Sequence, residues 1–328
     1  MAKILVTGGA GFIGSHVTDI LVKEGHDVRS LDDLSGGFRD NVNPKAEFIE
    51  ASITDPDAVE DAVRGVEIIY HLAAYAAEGL SHFIKRFNYE NNLMGSVNLI
   101  NSAVNNNVKV FLFTSSMAVY GTNVTPMEES LTPNPEDSYG IAKYAVEKEL
   151  QVSKELFGLE YVIIRPHNVY GERQNIGDKY RNVIGIFMNQ IMQGKPPTIF
   201  GDGKQTRAFS YIGDVAPCVA RAPFTPAALG QIINVGAAEH YSINQLAEEV
   251  VRAMRSDIDP VHLEPRFEVK HAFCTTTKSE KILGYKTTVS LQEGIRRMAE
   301  WAKKKGPQPQ KKWDSYEVTK NIPSFWLE

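Results

Sequence analysis

The stretch Lys3–Ser15, KILVTGGAGFIGS, decides how the rest of the chain is read. Ile4, Leu5 and Val6 form a short apolar run, two of them β-branched, and predict a buried strand over Lys3–Val6. Gly8, Gly11 and Gly14 follow with the spacing G-x-x-G-x-x-G. Phe12–Val22 then predicts a helix with Ile13, Val17, Ile20 and Leu21 on its buried face. A glycine turn between a strand and a helix N-terminus is a cradle for a diphosphate. Glycine permits positive φ and close approach of phosphate to backbone, and the helix offers free N–H groups with a partial positive charge. The third glycine lets helix and strand pack closely.

Working outward, His26–Leu31 reads as a second strand ending at Asp32. A carboxylate about 20 residues into such a unit can accept both hydroxyls of an adenosine ribose and repels a 2′-phosphate. The expected cofactor is therefore NAD rather than NADP. Further strands are expected at Ala46–Glu50, Glu67–His71, Val108–Thr114 and Glu160–Arg165, with helices at Asp55–Arg64, Arg86–Asn105 and Ser138–Phe157. Strict alternation of strand and helix predicts an α/β fold, a doubly wound parallel (Rossmann) sheet. From Pro166 the loops lengthen and the strands shorten, which predicts a smaller C-terminal substrate lobe with a helix at Val183–Gln193. Ala208–Ile212 and Gln231–Val235 look like pieces of the main sheet, so the lobe is expected to be interleaved. The expected organisation is 1–168 as the cofactor domain, with 206–236 returning to it, and 169–328 as the substrate lobe. The polar tail after Gly306, with its isolated aromatics, reads as an arm laid on the surface.

Composition narrows the function. The chain has 328 residues, enough for two lobes. A net charge of −5 without a basic run argues against nucleic acid as a partner. No apolar run is long enough to span a membrane. Cys218 and Cys274 form no metal-ligand or disulfide pattern, so no metal is expected. A strand starting at residue 3 leaves no room for a signal peptide, and the expected setting is the cytoplasm.

The chemistry centres on YGIAK at 139–143. Tyr139 and Lys143 share a helix face at i and i+4. A nearby cation is expected to lower the phenol's pKa, producing an acid or base suited to alcohol–ketone interconversion. Ser115 and Ser116 close the fifth strand, where ligands of open α/β sheets collect, and offer a hydroxyl to a reacting oxygen.

Several further motifs are TGGAGFIG from Thr7, LDDLS from Leu31, HLAA from His71, TSSMAVYG from Thr114, RPHNVYG from Arg165 and TIFGDGKQTR from Thr198. With YGIAK they make the chain resemble the extended short-chain dehydrogenases/reductases that act on nucleotide sugars, closest to the UDP-glucose 4-epimerase group, to about Ala302. The resemblance implies that Gly8, Gly11, Phe12 and Ile13 meet the NAD diphosphate. It places Asp32 at the adenosine ribose, with Asp33, Ser35 and Gly36 in the same loop, and Ile53 beside the adenine. Ser52 stands where the family has an acidic residue at the adenine amino group. Leu72, Ala73, Ala74 and Asn91 are expected along the cofactor, and His167 where the family has an aromatic near the nicotinamide. On the substrate side the resemblance implies Asn168 and Asn182 at the diphosphate, Thr198 and Phe200 around the uracil, and Arg207 and Arg266 on phosphate. It also implies an alanine, Ala272, facing the sugar C2 substituent, and a homodimer built on the helices from Arg86 and Ser138. Lys179 and Arg181 make NIGDKYRNV unusually basic for a substrate-side loop and are candidates for a charged sugar substituent.

The implied activity is UDP-hexose 4-epimerisation, with Ser116, Tyr139 and Lys143 as catalytic residues. Dehydratases and decarboxylases of the family carry acidic residues where this chain has Met117 and Ala118, so elimination is disfavoured. A 4-keto-sugar reductase and a non-catalytic NAD-binding sensor are the remaining alternatives.

Overall fold

The computed structural model describes residues 1–266, 268–310 and 312–327. Seven parallel strands form the central sheet: β1 (Lys3–Thr7), β2 (Asp27–Asp32), β3 (Glu47–Glu50), β4 (Ile68–His71), β5 (Val110–Thr114), β6 (Glu160–Pro166) and, later in the chain, Gln231–Val235. Their spatial order is β3-β2-β1-β4-β5-β6 followed by Gln231–Val235. The order reverses between β1 and β4, which opens a crevice at the strands' carboxyl ends. Alternation along each strand divides the core into two layers. Ile4, Val6, Ile68, Tyr70, Leu112 and Ile164 face one side, and Leu5, Leu31, Ile69, Phe111, Phe113 and Ile163 the other.

Helices cover both faces: α1 (Phe12–Lys23), α2 (Pro56–Val63), α3 (Glu78–Ser81), α4 (Lys85–Tyr89), α5 (Gly95–Asn105) and α6 (Ser138–Phe157). The long helix expected from Arg86 runs as α4 and α5 joined by a π-helical turn over Glu90–Met94. Beyond β6 lie β7 (Val169–Tyr170), α7 (Val183–Met192), β8 (Thr198–Phe200), β9 (Thr206–Ala208) and β10 (Ser210–Tyr211). The expectation for Ala208–Ile212 needs correction. β10 pairs with β7 in a separate two-stranded sheet, and only Gln231–Val235 joins the central sheet, against β6. Two short strands are too few to extend a seven-stranded ladder, and β7 supplies β10 with a nearer partner.

Candidate active site

The carboxyl ends of the central strands open on one cavity of about 750 Å³. Its floor begins at the glycine turn. Gly8 has φ +73°, and a Cβ there would sit 2.7 Å from the Ala73 amide nitrogen just beyond β4. A Cβ on Gly14 would collide with the Gly8 carbonyl, so the helix reaches the turn only because this residue is glycine. At the end of β2, Asp32 is buried and held by backbone donors. Ala10 N donates to Oδ2 at 3.1 Å and Leu34 N to Oδ1 at 2.8 Å. Burial raises its pKa, and these N–H donors pull it back. Each carboxylate oxygen keeps a free lone pair. Asp33, Ser35, Gly36, Phe12, Ile13, Ile53, Leu72, Ala74 and Asn91 continue the wall. A cradle that any Cβ would fill, followed by a carboxylate fixed at the next strand end, fits a dinucleotide.

The reacting end lies between β5 and α6. Ser116 Oγ accepts from Ala118 N at 3.1 Å. Asp137 caps α6 by accepting from Gly140 N at 2.8 Å. The first turn of α6 is pinned from outside: Tyr139 N donates to Ser81 Oγ at 3.2 Å and Asn88 Nδ2 donates to Ser138 O at 2.8 Å. Lys143 Nζ donates to the Thr114 carbonyl at 2.8 Å and lies 5.7 Å from the Tyr139 ring centroid. The electrostatics reverse the expectation from sequence. Burial, then the carboxylate of Glu78, push the Tyr139 phenol above its ordinary range, while a hydrogen bond with Ser116 pulls it back. Burial lowers Lys143 to about 7. A lysine that deep is a weak source of positive potential, and two nearby carboxylates outweigh it.

Ser115 also lines the cavity. Its hydroxyl donates to Glu147 Oε1 at 2.5 Å, and the same carboxylate takes Arg165 Nε at 2.9 Å and Arg165 NH2 at 2.5 Å. This fully buried ion pair claims the Ser115 hydroxyl, and Ser116 is left to present one to the cavity.

On the opposite wall the structure gathers Asn168, Asn182, Thr198, Phe200, Arg207 and Arg266. Arg266 lies 4.5 Å from the Phe200 ring centroid. Arg207 donates to the Val269 and Lys270 carbonyls at 2.5 and 3.1 Å. Both guanidinium groups share Glu268, at 3.2 Å from Arg266 and 3.7 Å from Arg207. Asn168 Nδ2 donates to the Ala208 carbonyl at 3.0 Å, and Thr198 Oγ1 accepts from Gln190 Nε2 at 2.9 Å.

Four sequence-predicted residues, Ser52, His167, Lys179 and Ala272, stand apart from the cavity lining. Ser52 turns to Thr54, with 2.9 Å between their hydroxyls. His167 is wholly buried against Gly236, and burial lowers it to about 4; its neighbour Pro166 lines the cavity instead. Ala272 packs with Met117, Met127 and Cys274 in a satellite core. Conversely, Tyr75, Glu78 and Trp313 line the cavity without having been assigned to it, and Arg181, a candidate for a charged sugar substituent, lines it as well. Arg181 pairs with Asp178 at 2.9 Å and lies 4.8 Å from the Tyr75 ring centroid. Lys179 faces away from a sugar: it is buried and donates to the Trp326 carbonyl at 3.0 Å. The sequence signal for Glu78 was a lone acid in the apolar run LAAYAAEGLS. Among the described residues no group of three or more His, Cys, Asp or Glu is placed to hold a metal.

A diphosphate cradle, a ribose-side carboxylate and a Ser–Tyr–Lys set on one cavity define a dinucleotide-dependent enzyme site that acts at an alcohol or ketone. The NAD dependent epimerase/dehydratase family model matches residues 4–236, and the chain belongs to that family and uses NAD. It is 37% identical over 303 residues to a putative UDP-glucose 4-epimerase of Methanocaldococcus jannaschii, covering 92% of this chain and 98% of that one. It is 30% identical to a UDP-N-acetyl-alpha-D-glucosaminuronate decarboxylase of Bacillus cytotoxicus, covering 91% and 97%. The crystal structure of Thermotoga maritima UDP-glucose 4-epimerase with UDP-glucose superposes with a TM-score of 0.87 at 35% identity, covering 92% of this chain and 99% of that one. The share left unmatched by that structure is about 26 residues of this chain.

Proposed function

We propose that this chain is a UDP-hexose 4-epimerase. The observation that carries the reading is the convergence of Ser116, Tyr139 and Lys143 on the cavity, beside Met117 and Ala118, which offer neither acid nor base. NAD, when bound, supplies the acceptor that takes hydrogen from the sugar C4 and gives it back. Gly8, Gly11, Phe12 and Ile13 would hold its diphosphate and Asp32 its adenosine ribose. Tyr139, in its phenolate form, would take the proton from O4 and later return it, Ser116 would hydrogen-bond that oxygen, and Lys143 would hold the ribose side. Arg207 and Arg266 bind the substrate diphosphate in exchange for Glu268, since a planar guanidinium matches phosphate oxygens. Phe200 and Thr198 hold the uracil.

Residues 1–168, with part of 206–236 returning to them through Gln231–Val235, are taken as the cofactor unit, and the rest of 169–328 as the substrate lobe. A homodimer is part of the same proposal: Met94, Ile141, Val152 and Leu156 are exposed apolar residues on the outer side of the α5–α6 region.

The test is incubation with UDP-glucose without reductant; UDP-galactose must appear. A second reading is elimination, as in sugar dehydratases. Glu78 and Asp137 favour it, because both carboxyls are raised by burial and both act on Tyr139. A dehydrated keto-deoxy sugar in the same assay would select that reading.

A further inference from the structure

The tail after Gly306 lies along the surface, and it is held there by specific contacts. Gln308 begins it on α7, where Asn189 Nδ2 and Gln193 Nε2 donate to its carbonyl at 2.9 and 2.7 Å. Farther on, Trp313 N donates to Tyr180 Oη at 3.0 Å. The Trp313 ring packs edge-on to Phe87 at 4.7 Å and tilted on Tyr75 at 5.4 Å. The Glu317 carboxylate accepts from Arg86 N at 2.6 Å and Phe87 N at 2.9 Å, at the start of α4. The last turn, Ser324–Leu327, sinks Trp326 beside Leu80, Phe83 and Tyr180, and the Trp326 carbonyl receives Lys179. Phe325 meets the Phe200 ring edge-on at 6.0 Å. The segment therefore touches Tyr75 beside the cofactor side of the cavity and Phe200 on the far wall, and it contributes Lys312, Trp313, Asp314 and Ser315 to the lining.

We propose that this C-terminal segment is a strap that forms the outer wall of the sugar site, with Trp313 as the residue that contacts the bound nucleotide sugar. It ties α4, which belongs to the sheet side, to Tyr180 and α7 on the substrate side. The inference rests on the proposed epimerase reading in one respect: the 4-keto sugar, formed when C4–H leaves as hydride to NAD and the O4 proton goes to Tyr139, must turn over without escaping. A wall at the mouth keeps it inside until hydride and proton return.

Three variants test this: a chain ending at Gly306, Trp313→Ala, and Glu317→Ala, which loosens the anchor without altering the wall. Each is loaded with NAD and checked for folding by thermal melt. UDP dissociation is then measured by stopped flow. Ultrafiltrates of UDP-glucose reactions are weighed for a product two mass units lighter. Expected results are UDP dissociation at least tenfold faster in the shortened chain and in Trp313→Ala, a smaller rise in Glu317→Ala, and at least tenfold more free keto sugar in all three. Folded Trp313→Ala and Glu317→Ala proteins that match wild type in UDP dissociation and in leakage would overturn the strap, even where the shortened chain fails to fold. Wild type that converts no UDP-sugar would remove the epimerase reading alone, because UDP dissociation still judges the strap.

Discussion

The floor and the rim of the cavity are built in different ways. The floor is made by strand ends and the turns that leave them, and its polar groups are fixed by backbone. Asp32 is held by Ala10 and Leu34, Lys143 by the Thr114 carbonyl, and the end of β5 by the buried Glu147–Arg165 pair. The rim is made of loops from distant parts of the chain, and its charges pair with one another, Arg207 and Arg266 on Glu268 and Arg181 on Asp178, with Arg207 also held by the Val269 and Lys270 carbonyls. A backbone-fixed floor needs no rearrangement when a ligand arrives. A rim of exchangeable ion pairs can accept an anionic ligand by exchanging a carboxylate for the ligand's phosphates. The contrast assigns chemistry and cofactor to the floor and substrate capture to the rim.

The sharpest way to break that division is Tyr139→Phe. It should lower kcat by about 10²–10⁴-fold, the usual share of a positioned acid or base, while NAD stays bound. Activity within tenfold of wild type, read by coupled assay, would move the proton chemistry elsewhere, with Glu78 the next candidate.

Glu147→Gln attacks the floor's anchor. It leaves the Arg165 charge buried and unpaired, and should cost about 3–5 kcal/mol of stability by denaturant titration. A loss below 1 kcal/mol would show that the end of β5 is held by packing alone.

At the rim, Phe200→Ala should raise KM for a UDP-sugar with kcat preserved. Stacking of a base on an aromatic ring is worth about 1–3 kcal/mol, which corresponds to about 5- to 160-fold in KM. A fall in kcat at unchanged KM would contradict the separation of capture from chemistry.

The smallest effect is a pH slope. Lys143 titrates near 7 in the folded, ligand-free protein and far higher when unfolded. Between those values the unfolded chain binds the extra proton, so stability rises with pH, by up to about 1.4 kcal/mol per unit from this group. Below 7 the lysine is charged in both states and its contribution is flat. Lys143→Met should flatten the difference in unfolding free energy between pH 7 and 9. An identical slope in wild type and variant would show that the ammonium is not desolvated as the structure has it.

Much of the floor was legible in the chain itself. The G-x-x-G-x-x-G turn, the acid closing β2 and Y-x-x-x-K on α6 are local patterns. Backbone geometry within one turn or one helix face determines where they point, so reading the residues in order is enough. Alternation of strand and helix determined the parallel sheet in the same way. What only the tertiary structure decided depends on side chains that meet from far apart. Ser115 looked as suitable as Ser116 until Glu147 and Arg165 claimed its hydroxyl. His167 and Pro166 are adjacent, and the packing against Gly236 chose which of them faces the cavity. The Tyr139 phenol was expected to be acidified by Lys143. Burial of both groups and the carboxylates of Glu78 and Asp137, one carried by another helix, reversed the sign. The tail reads as polar chain with scattered aromatics, because no periodicity marks its partners. It becomes a wall of the site only where Trp313 meets Phe87 and Tyr75 and Trp326 meets Tyr180. Burial and electrostatic potential sum over everything nearby in space, and a sequence order does not contain that sum.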